Sequence, residues 1–245
     1  MGKMKDLYHE WNSGRAGISV QESVAMMAED EAKYDGGYLG KIYKRHLKEM
    51  AEADYLTHDG TDCGRKMYSA IDDLLLRRQL SYVDVTVDPE LSALMTDSHM
   101  DVLDYGCGIG QDGIELCLAR KALGKTARLT LCDFPGSRTD FSLWAAQKLG
   151  VETKFCPAPS KIFPPCDIVV AMDVMEHIHK PLEALMALHV ALRPGGIVWG
   201  NFYLFKRDVL HVSPNLRPVV SKLRRWGYAE EKKCQIFVKP GMGQR

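Results

Sequence analysis

From about residue 99 onward, short apolar runs alternate with longer stretches whose apolar positions recur at helical spacing, a pattern that predicts parallel strands separated by covering helices. "MDVLDY", "ARLTLCDF", "VETKFC", "CDIVVAMD" and "GIVWGNFYLF" read as strands, the last after a turn at "RPGG". "DGIELCLARKAL", "TDFSLWAAQKLG" and "PLEALMALHVAL" read as helices, with Pro181 suited to a first helical turn. "SPNLRPVVSKLRRWGY" reads as a helix capped by Ser213 and closed at Gly227, and "KKCQIFVKP" as one final strand. The expected architecture is α/β, a Rossmann-like doubly wound and mostly parallel sheet with an N-terminal helical extension.

Residues 1–98 carry a different pattern. "QESVAMMAEDEAKY", "LGKIYKRHLKEMAEADYL" and "GRKMYSAIDDLLLRRQLSYV" read as helices, joined by glycine breaks at "YDGGY" and "HDGTDCG". The expected division is a helical region over 1–98, acting as a substrate cover or lid, and a ligand-binding domain over 99–245. The cover holds Tyr8, Tyr34, Tyr38, Tyr43, Tyr55, Tyr68 and Tyr82, which suit either acceptor contact or packing. "YDGGYLG" reads as a lid hinge or a tight helix connection.

Charge narrows the partners. Lys plus Arg and Asp plus Glu both number 32, so no net field draws nucleic acid or anionic membrane, and Arg217, Lys222, Arg224 and Arg225 read as a solvated helix face. The seven cysteines show no CxxC spacing and lie mostly in apolar runs, as reduced thiols do. With neither a signal peptide nor a membrane-length apolar run, a cytoplasmic protein is expected. A homodimer is compatible with the sequence and not required by it.

The chemistry centres on "VLDYGCGIGQDG", residues 102–113. Gly106, Gly108 and Gly110 form one glycine series; Gly108, Gly110 and Gly113 form another, the GxGxxG of dinucleotide binding. Asp104 decides between them, because a carboxylate at the tip of the preceding strand would repel a pyrophosphate seated on the helix N-terminus. It suits a cationic ligand, and S-adenosylmethionine carries both an ammonium and a sulfonium. Asp133, ending the second strand, suits the hydroxyls of a ribose in either case.

"VLDYGCGIG", "LCDF", "CDIVVAMDVMEHIHKP" and "ALRPGG", in this order, resemble the motif series of class I S-adenosylmethionine-dependent methyltransferases over residues 100–205 and, more weakly, the rest of the C-terminus. The resemblance implies S-adenosylmethionine as cofactor, S-adenosylhomocysteine as product, and contacts from Asp104, Gly106, Gly108, Gly110 and Asp133. Cys107, Phe134, Asp173 and Val174 fall in the same lining, Phe134 as a ring for adenine and Cys107 as a packed or reactive thiol. Two features depart from the family: "CPAPS" supplies no acid for the adenine amine, leaving backbone near Ala158 and Ser160, and one strand stands where the family's sheet ends in two.

Methyl transfer from a sulfonium requires alignment and, for a hydroxyl or a protonated amine, removal of a proton. "MDVMEHIH" places Asp173, Glu176, His177 and His179 beside the expected methyl position, with His211 returning later. His177 and His211 are the candidate bases and Tyr203 a candidate acceptor contact; His179 reads as surface. An alternative is a divalent metal on Asp173, Glu176, His177 and His211, an arrangement resembling certain quinone-pathway and terminal-ribose methyltransferases, although the shorter Asp173 stands where those have Glu. The expected activity is methylation of an oxygen or nitrogen of a small molecule. The rivals are a metal-assisted RNA ribose methyltransferase, a non-catalytic cofactor-binding scaffold and a nicotinamide oxidoreductase.

Overall fold

A computed structural model of the chain describes residues 3–35, 76, 79–80, 87–158, 160–203, 211 and 213–241. Helices α1 (Lys3–Ala16) and α2 (Val20–Asp35) pack on each other, and α3 (Pro89–Leu94) starts at Asp88, whose carboxylate accepts from the Glu90 amide at 2.9 Å. The α/β unit then runs β1 (His99–Tyr105), α4 (Gln111–Ala122), β2 (Thr126–Asp133), α5 (Ser137–Lys148), β3 (Glu152–Pro157), β4 (Cys166–Ala171), α6 (Pro181–Ala191), β5 (Leu192–Gly200), α7 (Arg217–Arg225), β6 (Ala229–Lys232) and β7 (Ile236–Val238). The tyrosines from Tyr38 to Tyr82, the "YDGGY" hinge and the helix expected over "LGKIYKRHLKEMAEADYL" lie outside the described residues, as does the Tyr34 side chain.

The sheet has the order β3-β2-β1-β4-β5-β7-β6, with β1 to β5 parallel and β7 antiparallel to β5. Strand β1 therefore lies between β2 and β4, which places the reversal of strand order at its carboxyl end. The apolar runs of β1 and β4 are continuous because both sheet faces are covered. Ile114, Leu129, Leu131 and Phe141 fill the α4–α5 side, and Val169, Leu185, Leu188, Val219 and Leu223 fill the other. Helix α1 adds a layer on α5, with Tyr8 and Trp11 edge-on to Phe141 at centroid distances of 6.0 and 5.5 Å.

Three expectations are corrected. Helix α7 starts at Arg217 rather than after Ser213, because Pro218 lacks an N–H and is tolerated only in a first turn. Strand β5 ends at Gly200, short of "NFYLF", where an added Cβ would lie 2.4 Å from the Ala171 carbonyl oxygen. "RPGG" lies within the span of β5 as an excursion, since Leu192 pairs with Cys166 but Ile197 with Ile168. The third correction concerns the C-terminus: two short strands, not one, follow α7, with β6 the outer arm of a hairpin that turns through Cys234 at φ 54°. Its alternating exposed and half-buried residues, "AEEK", hold no apolar run to announce a strand. Among the described residues no helix is long and apolar enough to cross a membrane.

Arg120 ties the entry to the sheet. Its guanidinium, fully buried, donates to the carbonyls of Asp97 at 2.8 Å, Thr126 at 3.3 Å and Met95 at 3.5 Å. Replacing it leaves those carbonyls without their donor, so Arg120→Met is expected to lower unfolding stability by about 3 kcal/mol in a urea titration. A loss under about 0.5 kcal/mol would show that water takes over the three carbonyls.

Candidate active site

The β1–α4 loop and the β4–α6 loop flank the point where strand order reverses. The Gly106 and Cys107 amides donate to the Cys132 carbonyl at 2.7 and 3.1 Å, pinning the start of the first loop to β2. Gly106, Gly108 and Gly110 all have positive φ, at 72°, 53° and 71°, where a side chain is strained. Other side chains also close on them: an added Cβ would lie 2.1 Å from Val174 Cγ2 at Gly106 and 2.4 Å from Gln79 Nε2 at Gly108. Gly113 has a structural reason of its own, since a Cβ there would lie 2.7 Å from Asp104 Oδ2.

Carboxylates crowd this loop. Asp104 is 3% exposed and accepts from the Gly113 amide at 3.1 Å, so it also caps the first turn of α4. Burial, then repulsion from Asp112, pushes its carboxyl well above the usual range. Asp112 is itself pushed up to about 6 by burial and the Asp173 carboxylate. Asp133 accepts from the Gly108 amide through Oδ2 and from the Phe134 amide through Oδ1, both at 2.7 Å, with an Arg138 Nη at 3.6 Å. No lysine or arginine among the described residues pairs with Asp104 or Asp112. Burial and the Asp133 and Asp104 carboxylates push the Cys107 thiol well up, which makes it a poor nucleophile. Ser160 turns its hydroxyl onto the Ile162 carbonyl at 2.7 Å.

On the β4 side, Asp173 adopts φ 47° and is held by the Asn201 amide at 2.9 Å. The Met175–His177 turn that follows buries Glu176 to 1% exposure, and burial pushes its carboxyl up to about 7. His211 comes to this turn because the Ser213 amide donates to the Glu176 carbonyl at 2.9 Å. One ligand atom each from Glu176, His177 and His211 fall within 4.8 Å of one another, and the two imidazole centroids are 5.1 Å apart. Asp173 is not in that group. His179 is exposed, and Tyr203 is 43% exposed with Lys232 as an electrostatic neighbour.

A family model described as a methyltransferase domain matches residues 77–243, well over half of the chain. The chain belongs to this methyltransferase family. The tRNA 5-carboxymethoxyuridine methyltransferase of Escherichia coli is 30% identical over 118 residues, covering 45% of this chain and 43% of its own length, and the same enzyme of a second strain matches equally. The chain thus spans less than half the length of these curated relatives. Among solved structures, Escherichia coli YjhP is 18% identical with a TM-score of 0.45, over 65% of this chain and 72% of that one. Precorrin-6y C5,15-methyltransferase of Geobacter metallireducens is 18% identical with a TM-score of 0.44, over 57% and 69%.

The residues of the methyltransferase fit a cationic cofactor: glycines at the loop leave room for close approach, and Asp104 and Asp112 have no lysine or arginine partner among the described residues. Sequence reasoning missed Asp112 and Gln79. Asp112 could have been found from its place two residues past Gly110, in the first turn of the helix whose start Asp104 caps; Gln79 lies in a leucine- and arginine-rich run with no mark of a site.

A carboxyl whose folded pKa lies above its unfolded value favours folding below about pH 4 and loses that contribution as pH rises through the folded value. For Asp112 and Glu176 the loss extends to about 6 and about 7. Asp104→Asn keeps an oxygen for Gly113 and removes the charge. It is therefore expected to raise the melting temperature of the ligand-free methyltransferase at pH 8 by a few degrees, about 1 kcal/mol or more, with little change below about pH 4. Equal melting of variant and wild type at pH 8 would show that the Asp104 charge costs nothing.

Proposed function

We propose that the methyltransferase moves the methyl group of S-adenosylmethionine to an oxygen or nitrogen of a small molecule by in-line displacement. The observation that carries this reading is the set of carboxyls gathered at the glycine loop, with Asp104 and Asp112 held above the usual carboxylate range and lacking a paired lysine or arginine among the described residues. When bound, the cofactor supplies a methyl on a cationic sulfur that departs as a neutral thioether. Asp104, Asp112 and Asp173 favour its positive charges, Gly106, Cys107, Gly108 and Gly110 receive its amino-acid part, Asp133 takes the ribose, and Phe134 and Val174 line the cleft. Residues 1–98 cover the acceptor, and Tyr203 contacts it from the open end of β5.

His177 or His211 takes the acceptor's proton. Each sits beside Glu176, whose carboxyl, at about 7, favours a neighbouring imidazolium once ionised. A small acceptor is preferred to RNA because the cleft is lined by carboxylates that repel phosphate and the chain has no net positive charge. The curated relative acts, by its name, on tRNA, which makes RNA the first competitor to test.

A second reading has its own observation. His177 Nε2 and Glu176 Oε1 stand 3.8 Å apart, too far for a hydrogen bond, and Glu176 Oε2 is buried with no hydrogen-bond partner among the described residues. Ligand atoms at about 2.0–2.2 Å from one divalent ion lie about 3–4 Å from each other, so this spacing suits Glu176, His177 and His211 as a ligand set without Asp173. Such an ion would lower the pKa of an acceptor hydroxyl.

Labelled S-adenosylmethionine incubated with cell extract is expected to label the small-molecule fraction and not RNA, and mobility shifts with RNA at rising salt are expected to be weak; label confined to RNA would overturn the acceptor class. His177→Ala is expected to bind S-adenosylhomocysteine normally and to slow transfer by about a hundredfold or more. Chelation separates the two readings: turnover persists if the imidazoles act as bases, and is lost and restored by manganese or zinc if they hold a metal.

A further inference from the structure

Gln79 carries chemistry that no motif marks. Leu76 and Leu80, helical and only 1% and 5% exposed, anchor their turn in the core shared with β1, and Gln79 lies between them in sequence. Its amide closes over Gly108, where an added Cβ would lie 2.4 Å from Nε2 and 2.7 Å from Oε1. That Oε1 is buried and has no hydrogen-bond partner among the described residues. A buried oxygen left without a donor costs about 1–3 kcal/mol, so its placement against the loop points to a ligand that brings one.

The identity of the donor follows from the surroundings. The Gly108 amide is already committed to Asp133 Oδ2 at 2.7 Å, so backbone at this point offers a ligand no N–H. The loop's other neighbours, Asp104 and Asp112, are acidic, and an acceptor among carboxyls is matched by a cationic donor. Adenine and ribose belong with Asp133 and Phe134 at the end of β2, which leaves the ammonium.

We propose that Gln79 is a cofactor-binding residue whose Oε1 accepts a hydrogen bond from the ammonium of the amino-acid part of S-adenosylmethionine. The proposal rests on the cofactor placement given above. It makes the N-terminal helical region part of the cofactor site, not only of the acceptor cover.

The test compares two ligands by calorimetry on the full chain: S-adenosylhomocysteine, which carries the ammonium, and 5′-methylthioadenosine, which lacks the whole amino-acid part. Gln79→Met keeps the packing on Gly108 and removes the acceptor; Gln79→Glu keeps an acceptor oxygen. Gln79→Met is expected to weaken S-adenosylhomocysteine about ten- to a hundredfold while 5′-methylthioadenosine binds as to wild type, and Gln79→Glu to retain the affinity. Equal losses for both ligands would mean that Gln79 only packs, and unchanged affinity of Gln79→Met would mean that it makes no contact; either overturns the proposal. Wild type that binds neither ligand would instead bring down the cofactor placement itself.

Discussion

Negative charge held close together at one loop is the constraint around which this molecule is organised. Asp104 and Asp133 reach the loop from the ends of adjacent parallel strands, Asp112 from the first turn of α4, and Asp173 from the end of β4. Asp104 and Asp133 are 3% and 8% exposed, so water screens them little; burial, then repulsion from Asp112 and Asp133, raises the Asp104 carboxyl, and burial, then repulsion from Asp173, raises that of Asp112. Folding brings them together because the parallel order places every strand end on the same side, and the loop glycines let the backbone pass between them. A cation relieves this crowding and a diphosphate worsens it. The same loop geometry that serves dinucleotides elsewhere is thereby committed to a cationic ligand.

Asp104 performs two tasks that depend on one another. As an acceptor for the Gly113 amide it satisfies a donor at the start of α4, and Gly113 must lack a side chain for the carboxyl to approach. The helix start and the proposed cofactor site thus share one carboxyl. The acceptor side is assembled differently, from segments far apart in sequence: the Ser213 amide bonds the Glu176 carbonyl, and His211 arrives with it. Proline at 218 is what delays α7 and leaves Ser213 outside the helix, available for that bond.

The sheet was legible because its core strands are buried on both faces and read as unbroken apolar runs, and because "VLDYGCGIG" and "LCDF" mark two strand ends by an acid beside glycine or at a helix start. What escaped reading depends on tertiary context. Strand β6 has no apolar pattern and exists only because β7 pairs with it. Ser213 looks like a cap until Pro218 is weighed. The glycine at 113 matches a nucleotide-binding pattern but answers to Asp104. Gln79 could not be found from sequence, since its role depends on a helix turn crossing the loop about thirty residues later in the chain. The side chains expected at the site are placed in two groups, around the glycine loop and around Glu176, with Asp173 between them in sequence and outside the Glu176 cluster.

Balanced composition conceals this local polarity. The chain has 32 basic and 32 acidic residues, but they are distributed unequally in depth. Arginines settle mostly at the rim of the sheet or on the surface, with Arg128 and Arg193 on Asp101 and Arg224 on Glu230, where their counterions are partly solvated. Asp104 and Asp133 lie deeper, and among the described residues Asp104 and Asp112 have no such partner, while Asp133 stands beside Arg138. Net charge governs the field out to about a Debye length from the surface and therefore encounter, whereas binding at the cleft responds to the nearest few ångströms. A neutral protein can accordingly hold a site that favours a cation, because Asp104 and Asp133 are buried while Arg128, Arg193 and Arg224 lie nearer the surface.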